Sequence, residues 1–306
     1  MGASVMLEAL EGIRATLWPR AFKRFTGAML LLPAVALVLV LVAGLAWMGD
    51  ASLHLLDTET FETGADYTAA NYRQMGGQAT YWIVLGRSIL GAAIVTLVTL
   101  VLAFPYAYVM VRTGSAWTRK ILLVSLFLPF FIGQVVRAYG WLIILGKEGL
   151  LNSLFGILGL GPFKMIYNYP SVLFGLVQYL LPFAVLLIAP AVTAIDEEIE
   201  LASESLGAHW LRTFRHVTLP MAKPGLVAAA LVVFTLALTD YAMPVILGGG
   251  TNDFIANAVY DAFFRISDSG LGSAVAIVLV LIATLLAAVI LTVLGSGTLG
   301  FSAERR

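Results

Sequence analysis

Long apolar runs separated by short polar segments constrain this chain more than any other feature. They cover about Gly27–Met48, Tyr81–Met110, Ile121–Leu145, Ser171–Ala194, Gly225–Leu247 and Leu271–Leu294. A helix needs about 20 apolar residues to cross the hydrocarbon of a bilayer, and its backbone polar groups must be satisfied internally there. The runs meet that length, so they predict an all-α integral membrane fold of six transmembrane helices. Composition agrees: 60% of the 306 residues are hydrophobic and only 12% are charged, about half of the ~25% charged share usual in soluble domains. A soluble globule with a large core is excluded. The first run exceeds the roughly 7–15 residues of a signal-peptide core and is expected to be retained as a span.

Six spans put both termini on one side, and the distribution of Lys and Arg says which. With the N-terminus inside, the inner segments hold Arg14, Arg20, Lys23, Arg24, Arg112, Arg119, Lys120, Arg212, Arg215, Lys223, Arg305 and Arg306. The outer segments hold only Arg73, Lys147, Lys164 and Arg265. The positive-inside rule therefore predicts cytoplasmic termini, with residues 296–306 as a cytoplasmic tail. Residues 1–25 mix Met6, Leu7, Leu10, Ile13, Leu17 and Trp18 with basic residues. They read as an amphipathic helix on the cytoplasmic membrane surface, or alternatively as a frayed leader. The six-helix domain is expected over 26–295. Its first outer segment, 49–80, is polar and acidic.

Between the fourth and fifth runs lies the longest polar stretch that keeps helical patterning, 195–224. Ile199, Leu201, Ala202, Leu206, Trp210, Leu211 and Phe214 supply the apolar positions, interrupted at Gly207. The spacing predicts two short amphipathic helices joined at a glycine able to take positive φ, with Leu219-Pro220 stopping the pattern. Between two spans, such an element reads as a cytoplasmic docking surface.

The same stretch resembles the signature loop of ABC importer permeases: E-A-A, three residues, Gly, nine residues, an aliphatic, one residue, Leu-Pro. Here the positions are Leu201-Ala202-Ser203, Gly207 and Val217-Thr218-Leu219-Pro220. Leu-Ala-Ser replaces Glu-Ala-Ala, with Glu200 one place earlier and Glu204 nearly one turn later. Further matches resemble the spermidine/putrescine-type permeases, and in order and spacing the first of their two permease subunits. Ala103-Phe104-Pro105-Tyr106-Ala107-Tyr108 is similar to G-Y-P-x-A-Y, and Val136-Arg137-Ala138-Tyr139-Gly140-Trp141 to V-R-x-Y-A-W. Gly149-Leu150-Leu151-Asn152 matches G-x-x-N, and Leu181-Pro182-Phe183 matches L-P-F. Asp240-Tyr241-Ala242-Met243-Pro244, followed by Leu247-Gly248-Gly249, is similar to E-F-V-T-P-x-x-L-G-G, with Asp for Glu.

The resemblance implies a coupling helix between the fourth and fifth spans, and an ATPase-docking loop comprising Glu200, Leu201, Ala202, Ser203, Glu204, Gly207, Ala208, Val217, Leu219 and Pro220. It implies a second homologous permease, giving a heterodimer, together with two cytoplasmic ATPase subunits and a periplasmic substrate-binding protein. The location implied is the bacterial inner membrane; no nucleic acid is expected as a partner. A polyamine is the solute by resemblance; related permeases move opines, phosphonates, thiamine or ferric iron. No G-x-x-x-x-G-K-[ST] loop occurs, so ATP and Mg are expected on the partner ATPases and no cofactor on this chain. The chain has no cysteine, and His54, His209 and His216 lack metal-ligand spacing. No catalytic motif marks it as an enzyme.

Charges within spans cost about +2.5–3.5 kcal/mol each on insertion scales and point to function. Arg137 and Asp240 fall in such positions. They form an ion pair lining the pathway, or Asp240 with Tyr139, Trp141 and Tyr241 attracts a cationic solute, or they only fix helix register or snorkel to the interface. Arg87 reads as an interfacial anchor. The acid run Asp196, Glu197, Glu198 and Glu200 reads as a solvated face that could also meet basic residues on the ATPase. His209 and His216 read as solvated or interface residues, and Pro129, Pro182 and Pro190 as sites of possible bending. An ion-coupled secondary transporter using Asp240 and Arg137 is the rival reading, and an intramembrane enzyme the second.

Overall fold

A computed structural model describes residues 26–57 and 63–295, with the side chains of 26–30 and 63 left aside. The amphipathic segment 1–25 and the tail 296–306 lie outside the described residues. The chain divides into two compact units, Met1–Ala51 and Ser52–Arg306. The described part of the first is one helix, α1 (Thr26–Ala51), which is apolar on every face and carries Pro33 in its interior.

The second unit opens with a feature the all-α reading did not include. A two-stranded antiparallel ribbon, β1 (His54–Leu56) and β2 (Thr63–Tyr67), pairs His54 with Tyr67 and Leu56 with Thr63. Asn71, in α2 (Ala70–Gly77), anchors it by donating to the carbonyls of Ser52 at 3.0 Å and His54 at 2.8 Å. Two three- to five-residue strands carry too little hydrophobic alternation to be read from sequence.

The core is built on three helices: α3 (Ala79–Arg112), α7 (Tyr169–Thr193) and α11 (Lys223–Leu238) pack mutually. The buried faces combine large side chains such as Phe104, Leu176, Leu180 and Phe234 with many small or β-branched ones: Ala92, Val95, Ala103 and Ala107 on α3, Val172, Ala184 and Val185 on α7, and Ala229, Ala230 and Val233 on α11. In lipid, where hydrophobicity does not drive helices together, small side chains permit the close approach that van der Waals packing requires. Gly225 marks the tightest point: a Cβ there would lie 2.5 Å from that of Ala191 and 3.0 Å from the Leu187 carbonyl oxygen. At ~1.5 Å per residue, the 34 residues of α3 extend about 51 Å, well beyond a ~30 Å hydrocarbon core. The excess is accommodated by tilt or by projection beyond the hydrocarbon.

Four helices are long and apolar enough to cross a membrane: Leu31–Ala51 within α1, α3, α7 and α14 (Ser269–Leu294). Two bent pairs pass the same test, giving up to six spans among the described residues. The third apolar run is not one rod. It falls in α4 (Ala116–Phe127), a 3-10 turn at Leu128–Phe131 and α5 (Gln134–Leu145), bent by 102° near Ile132-Gly133, with α6 (Leu150–Ile157) following the run. The fifth also differs from the expected Gly225–Leu247, for α11 stops at Leu238 and α12 (Ala242–Gly248) starts anew. Pro244 gives a reason: in a continuous helix its ring would meet the carbonyl of Asp240, four residues back, and it has no N–H to donate. Pro182 and Pro190, by contrast, stay inside the unbroken α7. After α12 the chain forms α13 (Ile255–Tyr260) and a π turn at Asp261–Arg265 before α14. Arg87, read as an interfacial anchor, donates to the Thr251 carbonyl at 3.0 Å.

Candidate functional site

The stretch 195–224 folds as two short helices across a glycine. Helix α8 (Glu197–Ser205) carries Glu197, Glu198 and Glu200 in its first turn, where negative charge complements the helix dipole. Gly207 sits at φ +87°, and the Gly207 and Ala208 amides donate to the Glu204 and Ser203 carbonyls at 2.8 and 3.2 Å. This 5→2 and 6→1 closure needs a left-handed residue at the turn, which is why glycine stands there. Helix α9 (Trp210–Thr213) follows, and the hydroxyls of Ser203 and Thr213, 3.0 Å apart, tie it to α8. Leu219-Pro220 does not stop the helical course as expected. A π turn at Phe214–Thr218 runs into α10 (Leu219–Met221), and the 69° bend comes at Ala222 before α11.

Two anchors hold this loop to the spans. Phe214 packs edge-on against Phe104 and Tyr108 of α3, at centroid distances of 5.1 and 5.8 Å. Glu200 supplies the second and departs from the solvated face expected of the acid run, being only 9% exposed. Its Oε2 accepts from Arg112 Nε and the Tyr108 hydroxyl, both at 3.2 Å. Oε1 accepts from Thr218 Oγ1 at 2.8 Å and from Arg112 Nη2 at 3.3 Å. Arg112 Nη2 also donates to the Ile195 carbonyl at 2.7 Å, and Nη1 lies 3.7 Å from the exposed Glu197. A carboxylate and a guanidinium this buried are tolerated because each is paired and hydrogen-bonded.

Apolar side chains face outward from the same loop. Leu206 is 89% exposed, and Leu201, Trp210 and Leu211 are exposed beside it. Glu204, Arg212, Arg215 and His216 are exposed around them. Exposed apolar side chains interspersed with polar ones on a loop between spans suit an interaction surface. Of the remaining loop residues read from sequence, Ala202 and Pro220 are exposed and Ser203, Ala208, Val217 and Leu219 half-buried. His209 Nδ1 caps α9 through the Leu211 amide at 3.4 Å, and His216 Nδ1 bonds the Arg212 carbonyl at 3.0 Å.

The candidate pathway residues surround the two breaks. Asp240 is 8% exposed; one oxygen accepts from the Met243 amide at 2.8 Å, capping α12, and the other accepts from Gln134 Nε2. One hydrogen bond thus joins the broken fifth run to the broken third. Arg137 does not pair with Asp240. It donates to the carbonyls of Pro129 and Ile132, and its guanidinium lies 5.8 Å from the Tyr179 ring centroid. Those carbonyls belong to the interrupted turn, so the charge compensates for lost helical bonding. Trp141 donates to Gln178 Oε1 at 3.3 Å and packs edge-on against Phe174. A cavity of about 200 Å³ opens here, lined by Pro129, Gln134, Arg137, Tyr179, Pro182 and Phe183. Tyr139 and Tyr241 lie outside this cluster: the first is exposed, the second stacks on Tyr260 at 4.6 Å. Sequence reasoning passed over Gln134, Gln178 and Tyr179. Polar residues within apolar runs were the available signal, since a neutral amide within a span also needs a partner.

A helix–glycine–helix loop with exposed apolar side chains, spans broken around a polar cluster and a core of three mutually packed helices together suit a membrane permease. Residues 100–298 match the family of binding-protein-dependent transport system inner membrane components. The chain belongs to that family: it is a multi-pass inner-membrane permease of the ABC transporter class. It is 31% identical over 280 residues to the inner membrane ABC transporter permease protein YdcU of Escherichia coli K12, covering 83% of this chain and 89% of the relative. It is 32% identical over 218 residues to the spermidine/putrescine transport system permease protein PotB of the same organism, covering 71% of this chain and 78% of the relative. Its fold is similar to a chain of a bacterial alginate ABC transporter crystallised with a periplasmic protein, with TM-score 0.73 and 16% identity over 90% of this chain and 95% of that one. Family membership decides against the ion-coupled carrier.

Proposed function

We propose that this chain forms half of the translocation pathway of an ATP-driven importer for a polyamine such as putrescine or spermidine. A periplasmic binding protein delivers the solute, a second homologous permease completes the pathway, and two cytoplasmic ATPase subunits dock on the membrane domain. This chain holds no cofactor; ATP and Mg belong to the ATPases. The spans number six, with α4 and α5 making up the third and α11 and α12 the fifth, and with both termini and the 195–224 loop in the cytoplasm. The observation that carries the polyamine reading is the 32% identity to a spermidine/putrescine permease over most of the chain. The loop's exposed apolar ridge supports its role as the ATPase-docking surface.

In this reading the polar cluster between the breaks lies on the solute route. Asp240 supplies negative charge, and Trp141 and Tyr179 supply aromatic faces to an ammonium group. Arg137 holds the bend open without entering an ion pair.

Titration of the cognate binding protein with putrescine and spermidine tests the solute. Micromolar or tighter binding is expected; selective binding of an opine, a phosphonate, thiamine or ferric iron instead overturns the polyamine assignment. Cysteines at Ser115 and Ser205 should react with an impermeant reagent only from the cytoplasm, and one at Thr63 only from outside. Periplasmic labelling at position 205 in intact cells refutes the orientation.

A further inference from the structure

We infer that Glu200 and Arg112 form an internal lock that makes the docking loop and the cytoplasmic end of α3 move as one body. Glu200 is then a positioning residue, not a contact to the ATPase. The inference rests on the proposed reading of 195–224 as the ATPase-facing loop.

A carboxylate has about four lone-pair sites, and all four are occupied here from within the chain. Arg112 and Tyr108 fill Oε2, while Arg112 and Thr218 fill Oε1. Nothing remains to bind a partner's cation. The donors come from α3 and the π turn before α11, and Arg112 reaches the end of α7 through the Ile195 carbonyl. One guanidinium therefore gathers α3, α7 and α8, and through Glu200 the turn leading into α11. Leu201, the position at which the loop most departs from its resemblance, faces outward with the apolar ridge instead.

The route onward is mechanical. Helix α3 is unbroken for 34 residues, whereas the third and fifth apolar runs are interrupted. Near its far end Ser88 Oγ accepts from the Ile255 amide at 2.8 Å, and Arg87 donates to the Thr251 carbonyl. A displacement of the docking loop thus passes along a rigid rod to the 251–255 segment, while the broken runs beside it are free to change their bend.

The absence of cysteine in the chain makes the test clean. Spin labels on Gly114→Cys and Ser205→Cys report the separation of the loop from the end of α3 in the full importer with its ATPase subunits. One narrow distance is expected, unchanged when ATP and vanadate are added. Glu200→Gln and Arg112→Gln should lose the narrow distance while the ATPases still co-purify. The swap Glu200→Arg with Arg112→Glu should restore it. Arg112→Lys and Thr218→Val, which keep the fold's charge balance, should broaden it partially. A distance that stays narrow in all four single variants overturns the lock, as does loss of ATPase co-purification with the distance still narrow. Leu206→Asp separates the underlying reading: it should release the ATPases without altering the distance. If they remain bound to that variant, the docking assignment fails, and the lock is judged on the distances alone.

Discussion

The 195–224 loop and the broken spans both bury charge, and they neutralise it in opposite ways. At the loop, Glu200 meets Arg112 directly and every oxygen site is used. At the breaks, Asp240 and Arg137 ignore each other and take neutral partners: an amide side chain and a backbone N–H for the acid, two carbonyls for the base. A charge pair resists separation strongly in a low-dielectric site, whereas neutral hydrogen bonds can be exchanged one at a time at modest cost. The loop is built to hold its geometry. The breaks are built to keep a bend satisfied while leaving a cavity beside it.

Stability measurements on detergent-solubilised protein test this difference between the two regions. The largest effect is expected for Glu200→Gln, which strands Arg112 and should cost about 3–5 kcal/mol, as removal of one partner from a buried pair does. Arg137→Gln should come next, at about 1.5–3 kcal/mol, since it loses charge-assisted hydrogen bonds but strands no opposite charge. Adding Asp240→Asn to it should be additive within ~0.5 kcal/mol; recovery of yield in the double variant would mean the two charges are coupled after all. Gly207→Ala forces a side chain into the left-handed region and should cost about 1–2 kcal/mol. Gly207→Pro cannot adopt that φ at all and should abolish ATPase co-purification. Thr218→Val lies at the low end, about 1.5 kcal/mol for one hydrogen bond to a carboxylate that keeps three others. An inversion of this order, with Arg137→Gln costing more than Glu200→Gln, would reverse the assignment of rigid and adaptable regions.

Much of this molecule follows from its sequence. Apolar run length sets the membrane fold, because lipid offers the backbone no hydrogen-bond partners and each run must satisfy itself. The helix–glycine–helix geometry of the loop was also legible, since Ser-Leu-Gly after an amphipathic segment leaves few ways to close a helix other than a left-handed glycine. The tertiary structure decided what pairwise proximity controls. Pro129 and Pro244 accompany breaks while Pro182 and Pro190 do not, although all four sit in apolar runs; α7 packs along both α3 and α11, and that packing keeps it helical. Asp240 and Arg137 looked like an ion pair because two opposite charges in apolar runs should seek each other, but Gln134 and the freed carbonyls stand nearer. Glu200 looked like one more residue of an exposed acid run until the end of α3 brought Arg112 beneath it. Sequence records which groups must be satisfied; only the fold determines which partner is within 3 Å.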